Sequence, residues 1–120
     1  MTTILLTGAT GYIASHTWIA LKEAGFRVLG VDNFANSSPV VLQRLEALLG
    51  EKPVFEEADV NDTDRMADII ARHGVQGVVH FAAHKAVGES VAKPLEYFRN
   101  NLGGLVSVAT AMERQGVKTL

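Results

Sequence analysis

Short continuous apolar runs alternate along this chain with longer stretches in which apolar positions recur every three to four residues. Thr3-Ile4-Leu5-Leu6-Thr7 is too short and too continuous for a helix, so it predicts a buried strand that stops at Gly8. A helix is expected from Tyr12 to Ala24, ended by Gly25 just past the last turn. Arg27 to Val31 reads as a second strand closed by Asp32-Asn33, and the loop from Asn33 to Pro39 is rich in Asn and Ser. Ser38-Pro39 offers a cap and a proline for the first helical position, after which Val41, Leu45, Leu48 and Leu49 mark one face. Gly50 ends that helix, and Pro53 to Ala58 predicts a third, weaker strand before Asp59. Asp62 or Thr63 can cap the next helix, where Met66, Ile69, Ile70 and His73 recur at helical spacing up to Gly74. Gly77 to Ala82 is a fourth strand, apolar throughout as expected where helices cover both faces of a sheet. A loop from Ala83 to Lys93 follows, and Pro94 opens a long helix with Leu105, Val108, Ala109 and Met112 on one face and Gly116 as terminator. Val117 to Leu120 reads as the start of a fifth strand.

Strands alternating with crossover helices predict an α/β fold, a doubly wound parallel sheet in the order 3-2-1-4, the Rossmann arrangement interrupted after its fourth β-α unit. Residues 1–120 read as one domain without repeats or low-complexity tracts.

Composition narrows the function. At 120 residues, 48 % hydrophobic and 20 % charged, the chain is globular, which excludes disorder, collagen and coiled coil. Eleven Lys plus Arg against thirteen Asp plus Glu create no positive field for phosphate backbones, so no nucleic-acid partner is expected. The lack of cysteine excludes disulfides and thiolate metal sites and fits a reducing compartment, the cytoplasm. No apolar run approaches the roughly 20 residues of a membrane span, and the first residues lack the pattern of a signal peptide.

Gly8-Ala9-Thr10-Gly11-Tyr12-Ile13-Ala14 lies between the first strand and the first helix, where a dinucleotide pyrophosphate would meet unpaired helix N–H groups. Gly8 permits the tight turn, Gly11 lets the backbone approach a phosphate, and Ala14 is small enough for the helix to pack on the sheet. Three small residues also serve an ordinary turn. Asp32 tips the balance, because a carboxylate at the end of the second strand can accept hydrogen bonds from adenosine ribose hydroxyls, although an acid there also builds a local Asx turn. Such a carboxylate repels a 2′-phosphate, and no Arg or Lys follows in Asn33-Phe34-Ala35-Asn36, so NAD is favoured over NADP. Asp59-Val60 occupies the equivalent strand end one unit later, near the expected adenine, but Asp59 could equally start the turn into Asp62. His80 and His84 bracket a strand end without a completing carboxylate, so no metal site is expected. Trp18 reads as core, and Glu46, Glu51, Glu56 and Glu57 as a solvated face.

With Gly8 to His16, Asp32-Asn33 and His80-Phe81-Ala82-Ala83-His84-Lys85-Ala86-Val87-Gly88-Glu89-Ser90 in place, the chain resembles the start of the extended short-chain dehydrogenases. More narrowly it is similar to the UDP-glucose 4-epimerase family, through Asn36-Ser37, Lys93-Pro94-Leu95-Glu96-Tyr97, Asn100-Asn101 and above all Lys85 to Ser90. The resemblance implies NAD as cofactor and contacts to it from Gly8, Gly11, Tyr12, Ile13, Asp32, Asn33, Asn36, Asp59, Val60, Phe81, Ala82, Lys85 and Asn100. Lys85 would donate hydrogen bonds near the ribose and nicotinamide end. Ala14 replaces the family's usual third glycine, and Leu105 a common Thr. The implied activity interconverts UDP-glucose and UDP-galactose through transient hydride transfer from the sugar C4 to NAD, assisted by a Tyr-x-x-x-Lys pair. Tyr12 and Tyr97 are followed four places later by His16 and Asn101, so this chain is expected to contain no catalytic residue. The resemblance then places the catalytic serine, tyrosine and lysine and the grip on the UDP-sugar beyond Leu120. It further implies a homodimer for the longer enzyme. The apolar fourth strand, left at an edge in the order 3-2-1-4, predicts self-association or marginal stability of this portion. An NAD-dependent sugar-nucleotide 4,6-dehydratase and a non-catalytic NAD sensor are the rival readings.

Overall fold

Strand β1 (Thr3–Thr7) forms the middle of a sheet with β2 (Arg27–Asp32) on one side and β4 (Gly77–His80) on the other, and β3 (Val54–Glu57) lies outside β2. The computed structural model describes residues 2–34, 38–82 and 91–120, and within them every strand pair is parallel. The order β3-β2-β1-β4 is the one expected. Leu5 pairs with Leu29 on one side and Val78 on the other, which sets one apolar layer across the sheet.

Side chains alternate between the two faces of a strand, and the helices divide accordingly. Leu5, Leu29, Val31 and Val78 pack against α3 (Thr63–His73) and α4 (Pro94–Arg114) through Met66, Ile69, Ile70, Val108, Ala111 and Met112. Leu6 and Val28 pack against α1 (Tyr12–Glu23) and α2 (Val40–Leu49) through Ala14, Trp18 and Leu45. The Trp18 indole lies so close over Gly30 that a Cβ there would stand 2.2 Å from its ring.

Several expected boundaries move. Pro39 stands at the N-cap of α2 rather than at its first helical position, with the Val40 N–H directed to the Ser38 hydroxyl at 3.4 Å. On that helix Val41, Leu42, Leu45 and Leu49 face the core while Leu48 is 70 % exposed. Burying Leu42 in place of Leu48 rotates the centre of the buried stripe by about 30°. On α4 the buried positions are Tyr97, Gly104, Ser107, Val108, Ala111 and Met112, and the expected Leu105 and Ala109 are exposed. Small residues on that stripe let α4 lie close to α3, with the Thr63 and Ser107 hydroxyls 2.7 Å apart. Val91 and Ala92, expected in a loop, are helical. β4 stops at His80, although the Phe81 N–H still donates to the Thr7 carbonyl at 3.2 Å. The fifth-strand expectation is met by a single parallel bridge, Gly77 with Thr119, in which the Val78 N–H donates to the Thr119 carbonyl at 2.9 Å.

Glu56 corrects the reading of the glutamates as a solvated face. Its side chain is only 17 % exposed, and its carboxylate accepts from Arg65 Nη2 at 3.3 Å and Arg72 Nη2 at 2.8 Å and pairs with His73 Nε2 at 2.7 Å. Burial alone would raise its pKa, but the hydrogen bonds and charges of Arg72 and His73 together outweigh burial and hold the carboxyl below its ordinary value. A carboxylate with a depressed folded pKa stabilises the fold above its unfolded pKa and loses that contribution as pH falls through the folded value. Denaturant unfolding of Glu56→Gln at pH 7 is therefore expected to show a loss of roughly 1 kcal/mol against the parent. The gap closes as pH drops below the ordinary value of 4.5, and a gap unchanged from pH 7 to 3 would refute the assignment.

Candidate functional site

The carboxyl ends of all four strands deliver their following residues to one edge of the sheet, and β1 and β4 are neighbours whose helices leave toward opposite faces. In open α/β sheets that divergence opens the crevice where ligands bind. The first loop into it turns at Gly8, whose φ is +63°. A Cβ at Gly8 would lie 2.7 Å from the Ala82 nitrogen and 2.8 Å from the Phe81 carbonyl carbon, so the turn is also pressed against the end of β4. The Gly11 N–H closes the turn onto the Gly8 carbonyl at 3.0 Å. Gly11 itself has an ordinary negative φ, and a Cβ there would come within 3.2 Å of the Gly8 carbonyl oxygen. It is the N-cap of α1, whose first turn holds no acidic side chain to compete for an anion. Ala14 is buried beside Leu6 and Trp18, as its packing role requires. Tyr12 and Ile13 are exposed at the head of the helix, the Tyr12 ring meeting His16 edge-on at 4.9 Å.

Asp32 ends β2 and turns its carboxylate onto this loop. Oδ2 accepts from the Thr10 N–H at 3.1 Å and the Thr10 hydroxyl at 2.6 Å. Oδ1 accepts from the Phe34 N–H at 2.9 Å, so the Asx turn is present as well. Phe34 adopts φ 59° there and sets its ring on Phe55, with centroids 5.3 Å apart. Asn33 is exposed at the tip of this turn.

The fourth strand's end is tied to the first by Thr7, a fully buried residue. Its hydroxyl oxygen accepts from the Phe81 and Ala82 N–H groups at 3.1 and 3.3 Å and lies 2.7 Å from His80 Nδ1. Phe81 and Ala82 are thereby held half-buried against the Gly8 turn.

After β3, Asp59 is exposed and accepts from the Asn61 N–H at 2.9 Å and the Asn61 amide at 3.2 Å, so its turn-forming reading holds. The same Asn61 Nδ2 reaches Asn100 Oδ1 on α4 at 3.4 Å. Val60 points into the core, leaving its backbone at the rim. Gly8, Gly11, Tyr12, Ile13, Asp32, Asn33, Phe81 and Ala82 thus share one rim of the sheet, with Asp59, Val60 and Asn100 joined through Asn61. Asn36 and Lys85 lie outside the described residues, as does the segment Ala83 to Ser90.

Sequence reasoning missed Thr7, Thr10 and Asn61. The parity of β1 carried a signal for Thr7, which shares a face with Leu5 and so had to be buried and partnered. Nothing in sequence spacing marks Asn61 as the link to Asn100, 39 residues on.

Residues 4–120 match the model of the NAD dependent epimerase/dehydratase family. The chain belongs to that family. It is similar to a UDP-glucose 4-epimerase of Klebsiella pneumoniae, 45 % identical over 115 residues that make up 96 % of this chain and 83 % of the relative. A UDP-glucose 4-epimerase of Bacillus subtilis (strain 168) is 44 % identical over 98 % of this chain, but the chain spans only 34 % of it. Among solved structures, a UDP-glucose 4-epimerase from Stenotrophomonas maltophila with bound NAD and formylated UDP-arabinopyranose superposes with a TM-score of 0.95 at 41 % identity, covering 98 % of this chain and 35 % of that one. The Bifidobacterium longum enzyme in complex with NAD+ and UDP gives a TM-score of 0.93 at 45 % identity, again over 98 % and 35 %. Among the described residues, no helix of this family member is long and apolar enough to cross a membrane.

Proposed function

We propose that this rim holds NAD and that residues 1–120 are the dinucleotide-binding domain of a UDP-glucose 4-epimerase. The observation that carries the reading is the Asp32 carboxylate bonded directly to the glycine loop, which makes a ribose acceptor and a phosphate cradle immediate neighbours. The residues fit the group: Gly8 and Gly11 leave the backbone bare, and the head of α1 offers N–H groups without an internal partner. Tyr12 and Ile13 cover the pyrophosphate position with exposed side chains, and Asp32 takes a ribose hydroxyl while opposing a 2′-phosphate. Asn33, Asn36, Asp59, Val60, Phe81, Ala82, Lys85 and Asn100 complete the cofactor contacts in this reading, on the strength of the family resemblance. Bound NAD supplies a hydride acceptor that returns the hydride.

Neither tyrosine is followed by a lysine four places on, so proton transfer and the grip on the UDP-sugar are assigned to polypeptide outside these 120 residues, and the chain alone is inactive. The Bacillus relative, about three times as long, supports that division, and the relatives' names favour an epimerase over a dehydratase. Leu95, Leu102, Leu105 and Val106, exposed along α4, support association with further polypeptide, the homodimer of the longer enzyme included. A cytoplasmic setting is supported by the cysteine-free composition.

Calorimetric titration tests the cofactor reading. Saturable binding of NAD, weaker binding of NADP, and a loss of about tenfold or more in NAD affinity in Asp32→Ala are expected, the effect of deleting a charge-assisted acceptor. A folded chain that binds no NAD would overturn the reading.

A further inference from the structure

Thr10 sits between the two glycines, at a loop position whose side chain the turn itself does not need. It is nonetheless only 2 % exposed, and it gives both its N–H and its O–H to the same oxygen, Oδ2 of Asp32. An ionised carboxylate offers about four acceptor directions, two on each oxygen. Thr10 occupies both on Oδ2, and the Phe34 N–H takes one on Oδ1 at 2.9 Å. Among the described residues, that leaves a single acceptor direction, on Oδ1.

We propose that Thr10 is a positioning residue that clamps Asp32 through Oδ2, so that Oδ1 alone meets the ligand and accepts one hydroxyl of a ribose diol. The inference rests on the NAD reading above and deepens it. Two donors from one residue on one oxygen fix both the position and the rotation of the carboxylate. Since Thr10 belongs to the loop that cradles the phosphates, the ribose acceptor and the phosphate cradle move as one body. A nucleoside diphosphate is then recognised by the distance between its phosphates and its diol, before any contact to the base. Without the hydroxyl of Thr10, Oδ2 keeps only the longer bond, from the Thr10 N–H at 3.1 Å, and the carboxylate, held on Oδ1 by the Phe34 N–H at 2.9 Å, is positioned less tightly for the ligand.

The test compares ADP with 2′,3′-dideoxy-ADP, which lacks the diol, on the 120-residue chain, its Thr10→Val and Thr10→Ser variants, and NAD as control. The parent is expected to prefer ADP by about tenfold, the worth of one hydrogen bond to a charged acceptor. In Thr10→Val that preference falls to roughly a fifth of its parental value, while Thr10→Ser, which keeps the hydroxyl, restores it. Thr10→Ala carries the same titration should the valine chain fail to fold by circular dichroism. A Thr10→Val chain in which both probes weaken by one common factor would show a merely structural threonine and overturn the proposal, as would a parent that binds ADP but does not distinguish the probes. A folded parent that binds neither NAD nor ADP overturns instead the dinucleotide reading on which the proposal rests.

Discussion

Gly8→Ala is expected to destabilise the protein by about 3 kcal/mol or more and to abolish dinucleotide binding even under conditions where the chain remains folded. Two separate costs meet at this position. An alanine held at φ +63° occupies the left-handed region, at roughly 1–2 kcal/mol. The added methyl would also stand 2.7 to 2.9 Å from three backbone atoms of Phe81 and Ala82, and backbone pinned by the Thr7 hydroxyl cannot step aside as a flexible side chain would. Relief therefore requires the end of β4 to part from the glycine turn, which opens the rim where the cofactor contacts converge. Denaturant unfolding and NAD titration of the same variant check both halves. An alanine chain of parental stability and affinity would show that the turn tolerates a side chain.

Gly30→Ala produces a comparable loss for a different reason. Its φ is ordinary for a strand, so the whole effect comes from packing: a Cβ would lie 2.2 Å from the Trp18 ring and 2.8 Å from the Ala9 Cβ. The indole is 1 % exposed and wedged between α1 and the sheet, so it has no empty space to enter. Overpacking of a dense core costs about 1–3 kcal/mol and more when rings collide, and about 3 kcal/mol or above is expected here. The assignment to Trp18 is checked by a double mutant. Trp18→Leu in the Gly30→Ala background should recover part of the loss, although Trp18→Leu alone destabilises by opening a cavity. Strictly additive effects would mean that the ring is not what the methyl strikes.

The elements of the fold were legible because each carries its own punctuation. Gly25, Gly50, Gly74 and Gly116 all adopt positive φ where helices or their last turns end, and Asp62 caps α3 by accepting from the Arg65 N–H. The strand order followed from the alternation of strands and crossover helices. What the sequence hid was rotation within helices. Leu48, Leu105 and Ala109 are apolar at helical spacing yet face outward, because α2 also buries Leu42 and α4 buries Gly104, Ser107 and Ala111, a stripe chosen for smallness rather than for hydropathy. At the site, the glycines and Asp32 were legible through location, since their types match what a strand end and a helix head demand. Thr7, Thr10 and Asn61 were not, because their roles depend on partners 73, 22 and 39 residues away. The same distance concealed Glu56, whose partners sit on a helix that begins beyond the next turn.

The position of β1 between β2 and β4 has a consequence for how the molecule is made. During synthesis the glycine loop leaves the ribosome well before the surface that shapes Gly8, which belongs to Phe81 and Ala82, more than seventy residues later. Every strand pairing is parallel and closes a long loop, a topology whose entropy must be paid before its contacts form. Leu5 and Leu6 therefore wait with one edge of their strand unpaired until Gly77 to His80 arrives, and in that interval the nascent chain exposes its most apolar strand to any passing edge. Delay between those two segments, by slow translation or by a weakened β4, would lengthen the period in which this protein is open to aggregation.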